Sequence, residues 1–85
     1  MECRTIVLPS VFYISERFVA QLTGLASSFQ SRVYIQQAER KVNAKSMMGL
    51  MSMSFAPGTQ FDLTADGEDE RAAIAALTKF FYEER

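Results

Sequence analysis

Two hydrophobic periods alternate along this chain, and their interleaving restricts the folds open to it. Val33 and Ile35 flank Tyr34 in the stretch Arg32 to Gln36, and Phe61, Leu63 and Ala65 alternate with Asp62 and Thr64. Both show the two-residue period of half-buried strands. From Glu16 to Phe29, by contrast, Phe18, Leu22, Leu25, Ala26 and Phe29 recur at spacings of three and four, and Ala73, Leu77, Phe80 and Phe81 form a second such stripe. These predict amphipathic helices. A first strand is expected over Thr5 to Leu8, with Ile6 and Leu8 on one face and Pro9 ending it. A further short strand is expected around Val42 after a turn near Ala38 and Glu39. Ser15, Ser46 and Asp69 stand where N-caps belong: Ser46 would open a short helix over Met47 to Met53, and Asp69 the last helix, with Glu70 at the positive end of its dipole. Pro57-Gly58 supplies a turn before the last strand, and Gly67 ends that strand. The order is βαββαβα, which in so short a chain predicts an α+β open-faced sandwich, one sheet covered by helices on one face.

With 85 residues, 48% of them hydrophobic, the chain has material for one core and not two, so a single domain over residues 1–85 is expected. Nine Lys and Arg against ten Asp and Glu give a net charge of −1, too little for sequence-independent nucleic-acid binding. The single cysteine, Cys3, permits no internal disulfide, and with no histidine the common zinc ligand sets are missing as well. Cys3 itself is expected to be a buried or half-buried thiol. The apolar run Ile6 to Leu8 is too brief for a signal peptide, and no stretch approaches the roughly 20 apolar residues that span a bilayer. A cytoplasmic protein without membrane contact, metal or organic cofactor is the expectation.

Met47, Met48, Leu50, Met51 and Met53 are too many apolar residues for one stripe of a short helix. Leu50 and Met53 are assigned to the core, and Met47, Met48 and Met51 to an exposed patch, since flexible thioethers suit adaptable protein contacts. Phe12 and Tyr13 are bulky groups in what should be an exposed loop. Local chemistry by itself favours capping for Ser15 and Ser46, and leaves Arg17 open between a solvated helix position and a guanidinium that grips a carboxylate or phosphate.

The run Lys41-Val42-Asn43-Ala44-Lys45-Ser46-Met47-Met48-Gly49-Leu50-Met51-Ser52-Met53 nevertheless resembles the regulatory-serine region of the HPr phosphocarrier family. Ala26-Ser27-Ser28-Phe29 and Ala65-Asp66-Gly67-Glu68-Asp69-Glu70 fit the same family at its spacing, so the resemblance covers nearly the whole chain. It implies the family's fold, a four-stranded antiparallel sheet with three helices on one side. In the family the phosphoryl group passes through a histidine opening the first helix, in a stretch reading Gly, small apolar, His, Ala, Arg, Pro. Here the stretch reads Tyr13-Ile14-Ser15-Glu16-Arg17-Phe18: Ser15 holds the histidine's place, Glu16 adds a negative charge, and Arg17 alone is retained. A serine hydroxyl cannot replace an imidazole that titrates near neutrality, so phosphocarrier function is expected to be lost. Within the family the resemblance is to the Crh (catabolite repression HPr-like) branch, which also lacks this histidine.

What the resemblance implies for function is a regulator that performs no chemistry. Ser46 would be phosphorylated by HPr kinase/phosphorylase, with Lys45 as a nearby countercharge. The phosphoprotein would then act as corepressor of a LacI-type repressor, catabolite control protein A, meeting it through Arg17, Lys45, Met47, Met48 and Met51, while the repressor alone touches DNA. Relatives on this branch exchange first strands, which makes a homodimer available here too. Two other functions stay open: a sugar phosphotransferase component using an unusual acceptor such as Ser15, and an HPr-like interaction module with neither phosphorylation nor repressor binding.

Overall fold

The computed structural model describes residues 1–8, 15–53 and 58–83 of the chain. Pro9, Phe12, Tyr13 and Pro57, where the sequence placed a strand end, two loop aromatics and half of a turn, lie outside the described residues. The elements run β1 (Glu2–Val7), α1 (Glu16–Ser27), β2 (Arg32–Gln37), β3 (Arg40–Asn43), α2 (Met47–Met51), β4 (Gln60–Asp66) and α3 (Glu70–Glu83). The four strands form one antiparallel sheet in the order β1-β4-β2-β3, and the three helices cover one face of it.

Register follows from the alternation. Ile6 lies opposite Phe61, Ile35 opposite Leu63 and Val42, and Val33 opposite Ala65, so these apolar side chains of all four strands fall on one face, while Val7 is exposed on the other. Ile6, Val33, Ile35, Leu63 and Ala65 are fully buried there beneath Leu22 and Ala26 of α1, Leu50 of α2 and Leu77 and Phe81 of α3. A group of phenylalanines joins the layers: the Phe18 and Phe80 rings meet at a tilt of 31° with centroids 5.0 Å apart, and Phe81 meets Phe61 edge-on at 5.0 Å. These contacts fix the start of α1 over the sheet. The opposite face carries polar pairs, with Thr5 Oγ1 donating to Asp62 at 2.9 Å and Lys41 over the Tyr34 ring at 4.5 Å.

Several boundaries differ from expectation. β1 begins at Glu2 rather than Thr5, because backbone pairing with β4 continues to Glu2 opposite Ala65 regardless of the polar side chains there. Cys3 is accordingly exposed, not buried or half-buried: it lies an odd number of residues from Ile6 and so points away from the core. α1 ends two residues before Phe29, where Ser28 and Phe29 N–H groups turn to the carbonyls of Leu25 and Ala26 and tighten the last turn. α2 ends at Met51 in the same manner, with Met53 N–H on the Leu50 carbonyl. Ala38 makes the β2–β3 turn with φ of 56°, a conformation that an L residue other than Asn or Asp rarely takes.

Asp69 does not cap α3 with its side chain. Its carboxylate accepts the N–H groups of Gln30 at 2.8 Å and Ser31 at 2.9 Å, and the Ser31 hydroxyl, tying the start of α3 to the loop between α1 and β2. Glu70 takes over part of the capping by reaching back to the Gly67 N–H at 3.2 Å, and it also meets the Met1 ammonium at 2.8 Å. Gly67 is required by close approach: a Cβ there would lie 2.6 Å from Ser31 Cα.

Candidate functional site

Ser46 occupies the junction of β3 and α2, and its surroundings are built by short-range bonds. The Asn43 side chain accepts the Lys45 N–H at 2.8 Å and the Asn43 carbonyl accepts the Ser46 N–H at 3.0 Å, turning the chain out of the sheet. Ser46 keeps extended backbone (φ −105°, ψ 113°), its Oγ accepts the Gly49 N–H at 3.2 Å, and its carbonyl accepts from Leu50 at 3.0 Å. That is the N-cap the sequence predicts.

Five helical residues then divide by spacing. Met47 and Leu50 stand three apart on the inner side, Leu50 fully buried and Met47 half-buried against the core. Met48 and Met51 stand three apart on the outer side, with 85% and 58% of their surface exposed. The expected exposed patch is therefore Met48 and Met51, and Met47 is corrected to a residue that packs. The signal was present in the sequence: a residue three before a core leucine shares its face. Met53 is buried as expected.

Ser15 caps α1, accepting the Phe18 N–H at 3.1 Å. α1 and α2 are packed so that Ser15, Glu16 and Val19 face Leu50, Met51 and Met53 across a groove of about 210 Å³. The site residues thus separate. Ser15 and Met51 share this groove; Arg17 is exposed but is not among the described residues that line it. Lys45 is held elsewhere, its ammonium donating to the Phe29 carbonyl at 2.7 Å beyond the end of α1. Val19, part of both groove and core, was not picked out from the helical spacing, though it follows Phe18 directly and precedes Leu22 by three. A wider groove of about 390 Å³ lies between α1 and α3, lined by Gln21, Leu25, Ala76, Lys79 and Phe80, none of them a predicted site residue. Among the described residues no cluster of acidic or thiol groups is placed to hold a metal ion, and no helix is long and apolar enough to cross a membrane.

Residues 4–83 match the family model described as the PTS HPr component phosphorylation site. This chain belongs to the HPr family. Its relatives include the HPr-like protein Crh of Bacillus subtilis, 46% identical over 59 residues that make up 69% of each chain. Phosphocarrier protein HPr of Neisseria meningitidis serogroup A is 45% identical over 58 residues, 68% of this chain and 65% of that one. Among solved structures, HPr-C-His of Thermoanaerobacter tengcongensis superposes with a TM-score of 0.90 at 34% identity, covering 99% of this chain and 94% of that one. Crh of Bacillus subtilis, a domain-swapped dimer, superposes with a TM-score of 0.78 at 40% identity over 82% of this chain and 80% of that one. The antiparallel HPr fold implied by the sequence resemblance is the fold observed. The full sequence contains no histidine.

Proposed function

We propose that this HPr-family protein is a Crh-type regulator rather than a phosphocarrier. HPr kinase/phosphorylase phosphorylates Ser46, and the phosphoprotein binds a LacI-type repressor, catabolite control protein A, as corepressor. The observation that carries the reading is the pairing of a chain without histidine with a Ser46 hydroxyl beside two exposed methionines, Met48 and Met51. Crh and HPr relatives match at nearly equal identity, 46% and 45%, so the branch is argued from this chemistry. A phosphate on Ser46 adds about −1.5 to −2 charge next to the free N–H groups that open α2, where it need not disturb the fold. Lys45, whose ammonium spends one of its three N–H donors on the Phe29 carbonyl, would serve as countercharge. Exposed apolar side chains beside the phosphate would exclude water from the contact, and Arg17 would grip a carboxylate at its margin.

The test is the mass of the protein after incubation with HPr kinase/phosphorylase and a nucleotide donor. One added phosphoryl group is expected on the native chain and none on Ser46→Ala; equal modification of both would remove the proposal. Enzyme I with labelled phosphoenolpyruvate should transfer nothing, since Ser15 offers no imidazole to take the phosphoryl group near neutral pH and Glu16 repels the incoming anion. Transfer to Ser15 would instead make the protein a phosphotransferase component. Phosphorylation without repressor binding would leave an interaction module with another partner. A homodimer made by exchanging β1 fits the same reading, and sedimentation velocity would reveal it.

A further inference from the structure

Among the described residues that line the groove between α1 and α2, Glu16 is the sole charged one, and the others are Ser15, Val19, Leu50, Met51 and Met53. No described cation lies within ion-pair distance of its carboxylate: the Met1 ammonium is taken by Glu70, Arg71 by Glu2, and Lys45 reaches the Phe29 carbonyl. Arg17 is not among the described residues that line the groove. The Ser15 hydroxyl is already engaged by the Phe18 N–H. At about 210 Å³ the groove falls below the roughly 300 Å³ at which organic ligands begin to be enclosed, which suits one side chain rather than a cofactor. Walls of valine, leucine and methionine that include one carboxylate match a long aliphatic stem that ends in a cation.

We infer that this groove receives an arginine or lysine side chain from a partner protein, its stem against Val19, Leu50, Met51 and Met53 and its charged head at Glu16. The inference rests on the α2 face being the partner-binding surface, and it adds what the partner must present. It also gives Glu16 a positive use, since the charge that repels a phosphoryl donor attracts a basic partner. A neutral or acidic side chain would bury the carboxylate without compensation, so the groove selects by charge as well as by shape.

The test uses the unphosphorylated full chain, labelled with ¹⁵N, and a capped pentapeptide carrying arginine between two leucines. A second peptide with citrulline, the neutral isostere, at that position is the comparison. The arginine peptide is expected to shift the amides of Glu16, Val19 and Met51 and to bind about fivefold more tightly than the citrulline peptide, the factor an accessible ion pair can supply. Glu16→Gln should bring that ratio to about one, with the rest of the spectrum showing an intact fold. Equal binding of the two peptides to the native chain overturns the inference. So do shifts confined to another surface, a ratio unaffected by Glu16→Gln, and absence of binding at millimolar peptide. Neither kinase nor repressor takes part, so failure of the corepressor reading and failure of this one are told apart.

Discussion

Gly67 and Ser46 show how single positions hold this fold to its geometry. The backbone at Gly67 passes so close to Ser31 that a methyl group would lie 2.7 Å from the Ser31 hydroxyl as well as 2.6 Å from its Cα, and backbone cannot yield as a flexible side chain can. Gly67→Ala is therefore expected to cost about 1–3 kcal/mol by overpacking, read as a lower urea midpoint with an unchanged slope. Ser46→Ala loses the acceptor for the Gly49 N–H and should cost about 1 kcal/mol, so its stability must be measured alongside its loss of phosphorylation. The cap at Ser46 was legible because an N-cap needs only its own local sequence. Asp69 was misassigned because a carboxylate can bind either the helix it precedes or a loop brought near by folding, and the deciding partners, Gln30 and Ser31, lie about 40 residues away.

The elements that sequence periodicity described well are those whose side chains decide their placement. β2, β4 and both long helices fall where their stripes put them, since each must bury an apolar face on the same layer. Ends were less legible. β1 extends to Glu2 through backbone pairing that carries no side-chain pattern, and α1 and α2 stop where N–H groups shift to nearer carbonyls. The short α2 makes the sharpest case, because five residues cannot sustain a helix on propensity and must be held by the cap and by packing. Met47 belongs to that packing and Met48 does not. Met47→Ala should lower stability by about 1–2 kcal/mol, whereas Met48→Ala should stay within about 0.5 kcal/mol of the native chain. In repressor binding by the phosphoprotein the order should reverse, with Met48→Ala and Met51→Ala weakening the complex at unchanged melting temperature. Calorimetry of both unfolding and binding reads the two effects separately; loss of stability in Met48→Ala would place that residue in the core.

One end of the domain is closed by carboxylates, and this governs how the protein should respond to acid. Asp69 joins α3 to the loop between α1 and β2, and Glu70 joins α3 to the Gly67 turn and to the start of β1 through the Met1 ammonium. The Asp69 carboxyl is held below its ordinary range by the Ser31 hydroxyl first, then by the Gln30 N–H. Glu70 is lowered by the ammonium of Met1 first, then by the Gly67 N–H. Each group is more acidic folded than unfolded, so the unfolded chain takes up the first protons as pH falls. Their contribution is complete above the ordinary carboxylate range near about 4 and is lost as pH drops through the lower folded values. Asp66 and Glu2 also face the Met1 ammonium, and Arg71 lies 3.7 Å from Glu2, so the charges at this end are coupled and added salt should weaken them together. Thermal unfolding followed by circular dichroism should give a melting temperature nearly constant from pH 7 to pH 5 and falling steeply below about pH 4. Asp69→Asn should melt lower than the native chain at pH 7, because an amide is a weaker acceptor for three donors, and its acid decline should be shallower. The two curves should converge at the lowest pH, where the native carboxyl is protonated and resembles the amide. Parallel curves with a constant gap would show that Asp69 acts through shape alone and that another group carries the acid response.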